Sequence, residues 1–385
     1  MEYDFSARSS HLKQSDIRAV TKRIEAIGGI NLGQGLCPLP TDQRVREFAS
    51  RAIQDGYNIY SPMQGLPEAR KAISEKLKRD NGVEANPDSE VLITVGASGA
   101  LACAMDVLLD PGDELILFEP FYGYHRNIAL LRGISIQTVP THAPSWEIDF
   151  DRLEQTITPK TRAILVCTPS NPSGKIYSRA ELERIGEICK KHNLLAITDE
   201  VYEYIVFDDA QHISLASLPG MFERTISIGA ATKTFYVTGW RIGWASGPAD
   251  IIAKMANASD LNYICPPSPF QKAIADSFSL GELFFDNLKA TFHHKRDALV
   301  AALRKAGIEP SVPDGAYYIM GDYSQHGWKT DEEARDALIN GIGVGSVTGS
   351  SFYASDQPSG LLRFCFALED EDLTEACNRL GQLSS

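Results

Sequence analysis

Short apolar runs alternate with amphipathic segments through the middle of the chain. Runs at 91–95 (VLITV), 114–118 (ELILF), 134–139 (ISIQTV), 162–167 (RAILVC), 194–198 (LLAIT), 225–229 (TISIG) and 242–246 (IGWAS) are nearly continuous, as strands covered on both faces require. Between two of them, 179–192 (RAELERIGEICKKH) spaces its apolar residues at helical period and ends in basic residues, as a crossover helix does. Seven such runs predict a large α/β unit, with a mostly parallel seven-stranded sheet between layers of helix. After residue 248 the pattern turns helical: one long helix is expected over 270–305, short strands near 316–320 and 361–366, and a closing helix over 370–382. These imply a second, smaller α+β unit. The stretch NLGQGLCPLP (31–40) is too rich in turn residues for a strand and is expected to pack against that unit. The chain thus divides into an N-terminal segment (1–45), a large α/β domain (46–280) and a small α+β domain (281–385).

At 385 residues the chain outgrows a single core and can readily bury a cleft. Its formal charge of −13 argues against a nucleic-acid or anionic-membrane partner, so any anion site must be built by a few local cations. Seven cysteines, odd in number and without a C-x-x-C pair, read as reduced thiols of a cytoplasmic protein. The first residues lack an apolar core of signal-peptide length, and no later run reaches membrane-spanning length. A cytoplasmic enzyme is therefore the expected class.

Four stretches could carry chemistry. In GAATKTFYVTGWRIGW (229–244), Lys233 and Arg241 stand in an apolar neighbourhood, and a desolvated lysine of lowered pKa is a nucleophile for carbonyl compounds. The run over 91–109 passes from a strand through Gly96-Ala97-Ser98-Gly99 into an apolar helix, whose free N–H groups suit a phosphate. VCTPSNPSG (166–174) brings Asn171 to a strand's carboxyl end, the usual ligand position in open α/β sheets. LLAITDEVYEYIVFDD (194–209) sets Asp199 after a strand with Tyr202 three residues on; Glu200 must point the other way. Each stretch alone also reads as a plain turn, cap or surface pair. In this order, however, one cofactor accounts for all four. Pyridoxal phosphate needs a lysine for its Schiff base, an acid for its ring nitrogen, donors to its phenolic oxygen and an anion site for its phosphate.

With those residues in view, the chain resembles the class I/II aminotransferases of the fold type I pyridoxal-phosphate enzymes, particularly the kynurenine, glutamine and methionine aminotransferase branch. The resemblance spans nearly the whole chain, through INLGQGLCPLP (30–40), YSPMQGLPEAR (60–70), TVGASGAL (94–101), EPFYGYH (119–125), TPSNPSG (168–174), TDEVYEYIVF (198–207), TKTFYVTGWRIGW (232–244) and GLLRFCFA (360–367). It implies that Lys233 is the Schiff-base lysine and proton shuttle, and that Asp199 keeps the pyridine nitrogen protonated. Asn171 and Tyr202 would hold the phenolic oxygen, and Tyr122 would stack on the ring. Arg241, with Ala97 and Ser98, would bind the phosphate, which Tyr60 reaches from the other subunit of a homodimer. Arg363 would pair with the substrate α-carboxylate, beside Gly35 and Asn171. Lys233 and Arg241 are both expected to be buried by these contacts. No metal is implied.

Two departures bear on the substrate pocket and the phosphate site. Ala230 stands where many relatives carry a phosphate-binding serine, with Thr232 nearby, and Leu36 followed by Cys37 replaces the usual aromatic residue after LGQG. Amino-group transfer from an L-amino acid to a 2-oxo acid is the first expectation. Elimination, cyclisation or another lyase reaction on the same cofactor is the alternative. A non-catalytic regulatory or binding protein on this scaffold is a third, disfavoured by retention of every expected site group and by the lack of a basic surface or appended DNA-binding domain.

Overall fold

Residues 6, 9, 16–355 and 357–383 are described by the computed structural model; much of the expected segment before residue 16 lies outside them. A two-residue strand, β1 (Ile30–Asn31), precedes the main sheet. That sheet comprises β2 (Val91–Val95), β3 (Glu114–Glu119), β4 (Ser135–Pro140), β5 (Thr161–Cys167), β6 (Leu195–Asp199), β7 (Thr225–Ala230) and β8 (Ile242–Ser246), in the spatial order β2-β8-β7-β6-β5-β3-β4. Strand β8 runs antiparallel to β2 and β7, and all other pairs are parallel. The expected runs match within a residue or two. The helices Gly96–Leu108 and Ala249–Tyr263 pack on one face, burying Leu101, Met105, Ile252 and Met255 over Leu117, Leu165 and Ile197. On another face, Leu182, Ile185 and Ile188 of the helix Arg179–Lys191 cover Ile116, Ile164 and Ala196. Parallel strands buried on both faces have their ladder ends as the accessible backbone, so a cleft forms at their carboxyl ends.

A second, antiparallel sheet contains β9 (Glu309–Ser311), β10 (Tyr318–Asp322), β12 (Val347–Thr348) and β13 (Leu361–Cys365), in the order β12-β13-β10-β9. Strand β11 (Val344–Gly345) lies outside it and pairs with β1 in parallel. Leu299 and Leu303 of the helix Glu282–Lys305, Leu338 of Asp331–Ile342 and Leu373 of Asp370–Leu380 fill one core with Ile319 and Phe364.

The helical pattern expected after 248 opens with the helix Ala249–Tyr263. Two expectations need correction. The helix expected over 270–305 is two helices, Ser268–Ser277 and Glu282–Lys305, parted at Gly281, whose φ of +79° is incompatible with a continuing right-handed helix. The turn-rich opening stretch does contribute a strand at its first residues, since Ile30 and Asn31 find a free edge at Val344–Gly345. Beyond it, Leu32 accepts a hydrogen bond from the N–H of Cys365 at 2.6 Å, so this stretch is docked on the second sheet.

Candidate active site

At the carboxyl ends of β5 and β6 a cavity of about 530 Å³ opens between the two sheets. Parallel register sets Asp199, the last residue of β6, beside Cys167 of β5. Its Oδ2 lies 2.8 Å from Nε2 of His125, a buried residue of the helix Gly123–Leu131, and its Oδ1 accepts from the N–H of Val201 at 3.4 Å. Strand alternation turns Glu200 away, where it accepts from the hydroxyls of Thr198 (2.7 Å) and Ser214 (2.9 Å) and meets His212 Nε2 at 3.3 Å. The carboxylate expected in the cleft is the one there.

Lys233 follows β7 on the short helix Ala231–Thr234. Its Nζ donates to the carbonyl of Gly35 at 3.2 Å and lies 5.3 Å and 5.7 Å from the ring centres of Tyr317 and Tyr202. No carboxylate among the described residues forms an ion pair with it. Desolvation lowers its pKa to about 8, against the opposing pull of Cys37, Cys365 and Asp199. A substantial fraction of neutral amine is thus present near neutrality, which a nucleophile or a base needs. Burial among apolar atoms also pushes the Cys37 thiol up to about 12, so it is no competing nucleophile.

The helix Gly96–Leu108 points its first turn, with Ala97 and Ser98, into the same cavity. Gly96 adopts φ +67°, and a Cβ there would stand 2.5 Å from Nη2 of Arg241. Arg241 donates to Ser98 Oγ (3.3 Å) and to the carbonyl of Thr238 (3.0 Å). Contrary to expectation, Arg241 is exposed, although it lines the cavity, and its backbone is left-handed (φ +58°). Lys233 is half-buried rather than sealed, because the cavity opens onto its head.

Arg363 is 1% exposed, in the middle of β13. Its Nη1 donates to Oδ1 of Asn171 at 2.9 Å and its Nη2 to the carbonyl of Gly33 at 2.7 Å. The rings of Tyr318 and Phe352 lie 4.3 Å and 4.7 Å from its Cζ. Its Nε has no partner, and no carboxylate among the described residues pairs with it. A buried guanidinium held by two neutral oxygens retains donor capacity for a planar anion.

Tyr122 and Asn171 line the cavity, and so does Tyr202, whose hydroxyl is 3.2 Å from that of Tyr318. Gly35 faces Lys233 and Tyr317 with its carbonyl; a Cβ there would lie 1.9 Å from the Tyr318 hydroxyl. Tyr60 does not line this cavity and is 76% exposed. Thr232 lines the wall and Ala230 is buried without a hydroxyl to offer. Sequence reasoning missed His125 and the pair Tyr317–Tyr318. His125 stood inside the quoted EPFYGYH, and a histidine on an otherwise apolar helix face was the available signal. The tyrosines had no such signal, because their contacts are made across more than a hundred residues.

The donor set fits pyridoxal phosphate. A cradle that a Cβ would fill lies between Gly96 and Arg241, a helix N-terminus faces the cavity, and an amine and a carboxylate line its walls.

The family model for aminotransferase class I and II matches residues 27–380. A probable N-succinyldiaminopimelate aminotransferase of Mycobacterium tuberculosis is 38% identical over 369 residues, covering 93% of each chain. A kynurenine–oxoglutarate transaminase of Mus musculus is 35% identical over 377 residues, covering 90% of this chain and 83% of its own. The solved structure of N-succinyldiaminopimelate aminotransferase from Mycobacterium tuberculosis superposes with a TM-score of 0.95 at 36% identity, covering 99% of this chain and all of that one. The chain belongs to the class I and II aminotransferases and is a fold type I enzyme that uses pyridoxal phosphate to transfer amino groups.

Proposed function

We propose that this aminotransferase moves the amino group of an L-amino acid to a 2-oxo acid with Lys233 as its reacting amine and Arg363 as its carboxylate anchor. The observation that carries this reading is Arg363, a fully buried guanidinium with a free Nε and no ionic partner among the described residues, facing the same cavity as a lysine of lowered pKa. Pyridoxal phosphate, when bound, supplies an aldehyde that condenses with amines and a ring that takes up the electron pair freed at the substrate Cα. Ala97, Ser98 and Arg241 would hold its phosphate, Asn171 and Tyr202 its phenolic oxygen, Tyr122 its ring face and Asp199 its ring nitrogen.

Lys233, whose pKa of about 8 leaves part of it neutral, would act through its Nζ as the base that accepts the substrate Cα proton. Asp199, oriented by His125 and by the Val201 N–H, would keep a proton on the cofactor's ring nitrogen. Arg363 and Asn171, fixed to one another at 2.9 Å, orient the α-carboxylate and with it the Cα–H bond. Gly35 offers its carbonyl to the resting Lys233 ammonium, and the Tyr317 hydroxyl steadies that carbonyl.

The enzyme is proposed to work as a homodimer in the cytoplasm. Tyr60 is exposed next to Ile59 (81%), and Arg241 is open at the cavity mouth; a second copy would cover both. In support of the compartment, no helix among the described residues is long and apolar enough to cross a membrane, and all seven cysteines are free. The chain is proposed to divide near residues 45 and 280, the second boundary supported by the helix break at Gly281. The relatives' names span N-succinyldiaminopimelate and kynurenine, so the donor does not carry over. A screen of purified holoenzyme against amino acids and 2-oxo acids tests the reading: a new amino acid is expected, whereas release of ammonia would indicate elimination.

A further inference from the structure

A second cavity, of about 510 Å³, lies at the open edge of the main sheet and shares no lining residue with the active-site cavity. Strand β4 is the last in the sheet order, so one of its sides has no neighbouring strand. The N–H groups of Ser135 and Thr141 point towards β3, to the carbonyls of Asp113 and Glu119 at 2.8 Å each. Alternation along the strand turns those of Ile136 and Thr138 to the open side, and both residues line the cavity. Pro140, next in that series, has no N–H and ends the row.

Two arginines flank this edge. Arg126 belongs to the helix Gly123–Leu131, whose Tyr124, His125 and Ile128 line the active-site cavity, whereas Arg126 and Leu130, one turn apart, line the second. Arg152 belongs to the helix Phe150–Thr156. Neither guanidinium has an ion pair or hydrogen bond with a described residue. Among the described residues no acid lines the cavity, and the buried carboxylate of Glu114 is engaged by Gln137 at 3.1 Å and Thr158 at 2.6 Å. In a chain of 50 acidic and 37 basic residues, a polar cavity whose lining charges are two unspent guanidiniums is a local reversal of sign.

We propose that this cavity binds the phosphate group of a small metabolite, held between Arg126 and Arg152 with the open-side N–H groups of Ile136 and Thr138 as further donors. A phosphate ester carries a charge of about −1.5 to −2 near neutrality and three acceptor oxygens, which two guanidinium forks match in charge and in geometry. The cavity has the volume of a small-molecule pocket, so the organic part of such an ester has room beside its phosphate. The site is independent of the roles proposed for Lys233 and Arg363.

The test is titration calorimetry of holoenzyme, whose cofactor already fills the active-site phosphate cradle, with inorganic phosphate at fixed ionic strength. Saturable binding is expected. Arg126→Gln and Arg152→Gln should each weaken it roughly ten- to a hundredfold, the size of a lost charged hydrogen bond, and Arg126→Lys less, because the charge stays and only the fork is lost. Arg363→Lys, in the other cavity, should leave phosphate binding unchanged. Succinate, a dianion with its charges spread over two planar groups, should bind more weakly than phosphate. Absence of saturable binding, or binding that survives both glutamine substitutions or weakens in Arg363→Lys instead, overturns the site. Tighter binding of succinate overturns the choice of phosphate as the group recognised.

Discussion

Two long cationic side chains are buried to the same degree and satisfied in opposite ways. Lys76, 1% exposed, forms an ion pair with Glu203, donates to Asn81 Oδ1 at 2.6 Å and lies over the rings of Tyr204 and Trp244. Arg363, also 1% exposed, has aromatic rings and two neutral oxygens but no carboxylate among the described residues. A buried charge costs several kcal/mol unless it is compensated, so the fold supplies compensation at Lys76 and leaves it to a ligand at Arg363. Burial alone therefore does not mark a functional cation; burial without an ionic partner does.

Lys233 extends the contrast to a third cation, and its removal has the largest expected effect. Lys233→Ala should lower turnover by about four orders of magnitude, since nucleophile and proton carrier vanish together, while the fold is retained by circular dichroism. Mixing it with inactive Tyr60→Ala tests whether sites are shared between copies. Random exchange makes half the dimers mixed, each with one intact site of two, so recovery of about a quarter of wild-type activity is expected. Next in size is Lys76→Met, which strands Glu203 as a buried, unpaired carboxylate. Urea denaturation should show a loss of about 3–5 kcal/mol, with kcat/KM of the folded fraction near wild type. Arg363→Lys reverses that pattern. The planar fork is lost, kcat/KM should fall for every amino donor by the equivalent of about 1.5–3 kcal/mol, and stability should change less than in Lys76→Met. Equal stability losses in the two variants would erase the contrast.

The smallest effect is a pH shift. Pulse acylation of cofactor-free protein should label Lys233 with a rate that rises with pH and is half-maximal near 8, because only the free amine reacts and desolvation disfavours the charged form. The exposed Lys71 should instead follow ordinary lysines, whose rate still climbs towards about 10.4. Coincident profiles would mean that the cavity does not perturb Lys233.

The strands were the most legible part of the chain. A central strand such as β7 must be apolar on both faces, so TISIG announces itself without any partner in view. Helix boundaries depended on one backbone angle at Gly281, which the apolar pattern of 270–305 does not encode. Within the site, the order of Asn171, Asp199, Lys233 and Arg363 along the chain was readable because each follows or sits in a strand. His125 was not, since its role arises from a contact with Asp199 across 74 residues. The exposure of Arg241 was likewise invisible: an apolar neighbourhood in sequence does not reveal which side of a turn faces outward.

The peptide at residues 33–35 has one more consequence. The carbonyl of Gly33 receives Arg363 and that of Gly35 receives Lys233, so a single stretch of backbone spaces the carboxylate anchor from the reacting amine. Two residues of chain span at most about 7 Å, and no side chain fits at Gly35, where a Cβ would lie 1.9 Å from the Tyr318 hydroxyl. The segment thus couples the two cations: a change in the path of residues 33–35 would displace the acceptor of each at once.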